Sequence, residues 1–258
     1  MLPRFIEPMA VRGEIYMPVL SIMGRKEATC AILNRDPGPA GEIGDALRRY
    51  GFVCRMFDSS VALHAYLKSS NVDMVLVIEP NRGGLIAKFA SALRNDRSIE
   101  NVPLMVVGPE NEDEMVAALT AGADAYLSAP ASIDVVIARI RALLRRIAGS
   151  HARTSGSSHG AYAFHNGAGR VCVKGEHIVL TRMEYRAALL MFTQMNRVVT
   201  FTELWKAMWE GVSRLEAQHR TVCVHMSRVR TKLRLTGDCG YQLISVRGAG
   251  YKLVNTRH

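Results

Sequence analysis

Residues 219–235, HRTVCVHMSRVRTKLRL, sort into two faces at helical spacing. Val222, Met226, Val229 and Leu233 recur at i, i+4, i+7 and i+11, an apolar stripe made for burial. Arg220, Thr221, Val224, His225, Ser227, Arg228 and Thr231 fall on the opposite face. Such a face suits the major groove of a double helix. An arginine there can bond both acceptors of a guanine edge, with about 1–3 kcal/mol of discrimination per pair. A charged helix face alone would equally describe a solvated surface. The stretch ISVRGAGYKL (244–253) decides between them. It sets Arg247 beside two glycines in a tight β-turn, with Lys252 on the returning strand. A hairpin tip of that shape can lay a cation on phosphates or in the minor groove.

The elements around these residues read as a small α+β unit. Thr181 followed by Glu184 is a capping box opening the helix RMEYRAALLMF. Thr202 is expected to open a second helix, TELWKAMWE, whose Leu204, Met208 and Trp209 face a core. The loop GVSRLEAQ (211–218) leads into the helix already described. Ahead of them, residues 161–181 offer short β segments broken by HNGAG and KGE. Further upstream, from Ala28 to Ile147, apolar strands alternate with amphipathic helices five times. That pattern predicts a doubly wound, five-stranded parallel α/β sheet. Between the two patterns, AGSHARTSGSSHG (148–160) has no periodic apolar residues and reads as a linker. The expected organisation is an extension over 1–26, an α/β domain over 27–147, the linker, and a winged helix–turn–helix over 161–258.

Charge follows this division. Residues 1–150 hold 17 Lys/Arg against 17 Asp/Glu, while residues 151–258 hold 16 against 6. The whole net charge of +10 therefore lies in the second half, as expected of a domain that meets a polyanion. The five cysteines are scattered, with no CxxC or Cys/His pair, so neither zinc nor a disulfide framework is expected. No apolar run approaches the roughly 20 residues of a membrane span, and residues 1–26 make a poor signal peptide. A cytoplasmic protein is the expectation. No Ser/His/Asp or Cys/His set, phosphate loop or metal cluster suggests an enzyme, and no cofactor is called for.

RTVCVHMSRVRTKL followed by ISVRGAGYKL resembles the effector domain of OmpR/PhoB-type response regulators, as do LTRMEYRAALLMF and VVTFTELWKAMW in order and spacing. The resemblance spans about residues 160–254. It implies that 219–234 is the recognition helix and Arg247 the wing arginine. It also implies phosphate contacts from Arg220, His225 and Arg230, and a loop over 211–218 placed where the family often touches RNA polymerase. Cys223 stands where the family usually has an acid. Only nearby Arg220 favours a redox role for it.

Residues 28–146 resemble the receiver domain of the same family, with VPLMVVG, GADAYLSAP and ARIRALLRR especially close. A working receiver moves a phosphoryl group onto an aspartate, with carboxylates to hold Mg²⁺ and a Lys and a hydroxyl to offset developing charge. At the corresponding places this chain has Asn34 and Arg35 for the acidic pair, Ile78 for the acceptor, Gly108 for the switch hydroxyl and Ala129 for the lysine. Glu79, one residue past the acceptor, should point to the other face of its strand. The expectation is a pseudo-receiver that is not phosphorylated in the usual way and serves dimerisation. The family pairs through the elements over 112–121, 124–128 and 132–146. Arg139, with Asp124 beside the usual partner position and Tyr126 at the aromatic switch position, marks that face. The expected protein is a transcription regulator that binds two DNA half-sites as a homodimer. The alternative is a regulator gated by a small molecule or partner protein at the emptied pocket.

Overall fold

In the computed structural model, residues 28–34, 40–79, 85–152, 157–165, 169–209 and 218–256 are described. The expected extension over 1–26, Arg35 and most of the loop 211–218 lie outside them.

The first half is the predicted α/β domain. Strands β1 (Ala28–Asn34), β2 (Phe52–Phe57), β3 (Met74–Ile78), β4 (Leu104–Gly108) and β5 (Ala125–Ser128) form one parallel sheet in the order β2-β1-β3-β4-β5. Helices α1 (Ala40–Arg49), α2 (Ser60–Ser69), α3 (Ile86–Asn95), α4 (Glu112–Ala121) and α5 (Ile133–Ala152) cross between or follow the strands. β3 and β4 are buried at every residue, as central strands covered on both faces must be. β2 buries only Phe52 fully, leaving Val53 and Met56 exposed at the sheet edge. Side chains cap three helices: Ser59 and Asn111 accept the amides of Ala62 and Glu114, and Ser132 accepts that of Val135.

A buried ion pair knits the far side of this domain. The Arg94 guanidinium of α3 donates to the carbonyls of Gly122, Glu100 and Val102 and, at 2.9 Å, to Asp124. Asp124 also accepts the Leu104 amide at 2.8 Å. Both side chains are almost inaccessible. Burial lowers the Arg94 pKa, with the Asp124 carboxylate opposing. Asp124, expected beside the ion-pair position of the dimer face, is instead a buried tie between α3, β4 and the start of β5.

The linker also differs from expectation. α5 continues to Ala152, and β6 (Ser157–His159) pairs with β7 (Tyr162–His165) as the first strand of the second domain. The apolar stripe of α5 ends sooner, but hydrogen bonding carries a helix beyond its buried face. β8 (Arg170–Val173) and β9 (Glu176–Val179) complete an antiparallel sheet in the order β6-β7-β8-β9. Then follow α6 (Arg182–Thr193), β10 (Val198–Thr200), α7 (Phe201–Trp209), α8 (His219–Lys232), β11 (Tyr241–Val246) and β12 (Gly250–Asn255). The last strands form a sheet in the order β10-β12-β11. Tyr162, Phe164, Phe192 and Tyr241 pack their rings tilted or edge to face, with centroids 4.9–5.4 Å apart, in the core of this winged-helix domain. Among the described residues no helix is long and apolar enough to cross a membrane.

Candidate nucleic-acid interface

α8 is built as its sequence dictates. Val222, Met226, Val229 and Leu233 are fully buried against the domain core. α6 supports it through the Thr181–Glu184 capping box, in which Glu184 accepts the Thr181 amide at 2.9 Å and Thr181 accepts the Glu184 amide. Glu184 is buried and also accepts Lys232 of α8 at 2.9 Å, so one carboxylate caps α6 and anchors α8. α7 starts at Phe201, one residue earlier than expected, because Thr200 and Glu203 form the cap: Thr200 accepts the Glu203 amide, and Glu203 accepts the Thr200 amide and hydroxyl. The Arg197 guanidinium first, and then these bonds, hold the Glu203 carboxyl down at about 2.

The wing is the β11–β12 hairpin. A turn closes on the Ala249 amide donating to the Val246 carbonyl, which leaves Arg247 exposed at the tip. Gly248 adopts a positive φ of 71°, which the turn requires. At Gly250 a side-chain carbon would collide with the Val199 carbonyl of β10, so only glycine lets the two strands close up. Lys252 is half-buried on β12, in register with Val198 and Ile244.

The expected contact face of α8 is divided. Arg220, Ser227 and Thr231 are exposed, and Val224, Arg228 and Arg230 are half-buried. Thr221 and His225 are fully buried, contrary to the expectation of an open face. The cause is tertiary: α4 of the first domain lies on that side of α8. The Thr120 and Thr221 hydroxyls are hydrogen-bonded at 2.8 Å. His225 Nε2 meets the Leu119 carbonyl at 3.3 Å, and Gln218 donates to Glu112 at 3.1 Å. Arg228 reaches the Thr120 carbonyl at 3.5 Å. Around this seam the Trp209 indole donates to the Ala123 carbonyl, Arg182 donates to the Asn101 carbonyl, and Lys232 lies 3.6 Å from Glu100. Sequence reasoning missed Thr120, Leu119 and Trp209 as partners of α8, since periodicity reports which residues bury but not which domain buries them.

The residues expected at the receiver site, other than Arg35, are packed. Ile78 is fully buried, Asn34 and Ala129 are half-buried, and the Ala129 amide donates to the Gly108 carbonyl. The Tyr126 ring lies so close over Gly108 that any side-chain carbon at 108 would strike its hydroxyl. That hydroxyl donates to the Pro109 carbonyl at 2.9 Å, and burial pushes its pKa up. Tyr126 is thus an inward, packed aromatic and not part of an open surface; Arg139 on α5 is half-buried. Glu79 falls on the other side of β3, in a cleft of about 470 Å³ between α2 and α3 with His64 and Phe89. Cys223 is half-buried and hydrogen-bonded with Tyr251, whose pKa is pushed up to about 12, chiefly by burial.

Comparison with known proteins agrees with this architecture. Residues 175–253 match the family described as transcriptional regulatory protein, C terminal. The phosphate regulon transcriptional regulatory protein PhoB of Pseudomonas aeruginosa is 28% identical over 222 residues, covering 84% of this chain and 93% of that protein. The DNA-binding response regulator MtrA of Mycolicibacterium smegmatis is 30% identical over 224 residues, covering 86% and 94%. Among solved structures, a mutant form of RitR shares the fold with a TM-score of 0.59 at 20% identity, covering 88% of this chain and 98% of that one. A receiver-type parallel sheet, a winged helix with a cationic wing and relatives matched along nearly their whole length place this chain in the OmpR/PhoB family of DNA-binding transcriptional response regulators.

Proposed function

We propose that this regulator controls transcription without aspartate phosphorylation, by a balance between a closed form and a DNA-binding dimer. The observation that carries the reading is the seam between α4 and α8. In the closed form Thr221 and His225 of the recognition helix are covered by Thr120 and Leu119 of α4. DNA cannot reach them until the domains part. The same α4 belongs to the surface through which the resemblance implies dimerisation, so one helix surface serves either α8 or a second subunit. Opening by dimerisation would bring two wings and two recognition helices to adjacent half-sites and add avidity. Arg220, Arg228 and Arg247 are the leading DNA contacts, with Val224, Ser227, Arg230, Thr231 and Lys252 flanking them. The resemblance makes the segment 211–218 the part of the chain that meets RNA polymerase.

Local chemistry supports independence from phosphorylation. An isoleucine at 78 has no nucleophile, Ala129 offers no charge, and Tyr126 fills the space beside Gly108 where a hydroxyl would stand. The full-length chain is incubated with acetyl phosphate and Mg²⁺ and read by intact mass and by sedimentation. The expected result is no stable mass gain and no change in the monomer–dimer balance. A stable gain of one phosphoryl group, lost in Glu79→Gln, would overturn the reading.

A further inference from the structure

We propose that His225 is a proton-operated latch: the closed seam accepts only the neutral imidazole, so acidification releases the recognition helix from α4. The ring has no solvent exposure. Its Nε2 faces the Leu119 carbonyl at 3.3 Å, an acceptor, so the neutral ring carries its proton there. Its flank rests on Trp209, with ring centroids 5.3 Å apart and planes at 69°. Nδ1 has no hydrogen-bond partner among the described residues. For a neutral ring that nitrogen is a bare lone pair. Protonation turns it into a charged N–H donor with nothing to receive it, in a site closed to water.

The surrounding charges reinforce the burial. Arg228 stands one turn further along α8, and Arg94 of α3 adds positive potential. Glu184 of α6 opposes them, but it is spent on the Thr181 amide and Lys232. The turn of α4 facing the ring offers only the Leu119 carbonyl and Thr120. The carboxylates of α4, Glu112, Asp113 and Glu114, sit at its first turn, and Glu112 is engaged by Gln218. Asp124, near Arg94, is held in its own pair. α7 presents Trp209, which carries no charge. Burial first, then Arg228, holds the His225 pKa down to about 4 against an ordinary 6.5.

The sign follows. The group is depressed in the closed form and ordinary in the open form, so the open form takes up the proton first. Above about pH 6.5 the closed seam keeps its full strength; between 6.5 and 4 it weakens against the open form. From pH 7.5 to 5.5 the ratio of open to closed rises about tenfold. The inference rests on the reading of α8 as the DNA-contacting helix only for its consequence. There the released imidazolium adds a cation to the face that meets phosphates.

The test uses the full-length chain with ¹³C-labelled histidine, the His225 signal being assigned by its loss in His225→Gln. We expect the ring to titrate at least one unit below 6.5. We expect X-ray scattering to show wild type expanding between pH 7.5 and 5.5, with His225→Gln unchanged over the same range. A midpoint at or above 6.5, or equal expansion in His225→Gln, overturns the latch. If glutamine itself opens the seam at pH 7.5, the wild-type midpoint alone decides. Anisotropy with a duplex selected from a random pool separates the two claims. Expansion without any gain in duplex affinity keeps the latch and refutes α8 as the DNA-contacting helix.

Discussion

Thr120→Val tests the closed form from the side that never meets DNA. The substitution keeps the shape of the side chain and removes the hydroxyl that lies 2.8 Å from the Thr221 hydroxyl. Thr221 is fully buried, so its hydroxyl then faces a methyl group in a dry seam. Losing such a bond costs about 0.5–1.5 kcal/mol, and stranding a buried partner costs about 1–3 kcal/mol. Relaxation of Thr221 toward its own helix recovers part of that, which leaves about 1–2 kcal/mol against the closed form. That is about 5–30-fold in the ratio of open to closed. While the open fraction is small, apparent affinity rises in proportion to it. Thr120→Val should therefore bind a selected duplex about 5–30-fold more tightly at fixed salt, by fluorescence anisotropy. Thr120→Ser, which keeps the hydroxyl, should behave as wild type. Unchanged affinity in Thr120→Val, with its thermal unfolding also unchanged, would mean that the seam does not govern access to α8.

Four further variants have expected outcomes. Asp124→Ala leaves the Arg94 guanidinium buried without its carboxylate and should cost about 3–5 kcal/mol of stability in urea unfolding; a loss below about 1 kcal/mol would show that the pair is not the tie described. Gly250→Ala drives a side-chain carbon into the Val199 carbonyl, so the wing must shift, with about 1–3 kcal/mol lost and weaker duplex binding in the same preparation. A variant with wild-type melting and binding would contradict that packing. Arg228→Ala should relax sequence preference, whereas Lys252→Ala should weaken all duplexes alike and reduce the salt slope by about one. Equal losses on specific and random duplexes for Arg228→Ala would remove its base-reading role.

Much of this protein is legible along the chain, for a local reason. The short continuous apolar runs MVLVI and LMVVG give strands buried on both faces, and the helical period of the Val222–Leu233 stripe gives the inner face of α8, because burial pattern follows local secondary structure. The Thr181–Glu184 cap and the glycines of the wing are read equally directly, since each acts on residues within a few positions. The α7 cap was displaced because Thr200 and Thr202 offer the same hydroxyl, and only the position of Glu203 favours Thr200.

What the tertiary structure decides is everything that joins residues distant in the chain. Asp124 and Arg94 are 30 residues apart and Thr120 and Thr221 are 101 apart. No pattern in either segment names its partner. The amino-acid sequence alone identifies α8 as a helix with one apolar stripe and one polar face, a helix built to touch something polar. It cannot say that the first polar surface it meets is α4 of its own chain. An amphipathic face reports the chemistry of its complement, and two complements of similar chemistry, a helix edge with its carbonyls and hydroxyls or a groove of DNA, are told apart only when the domains are seen packed together.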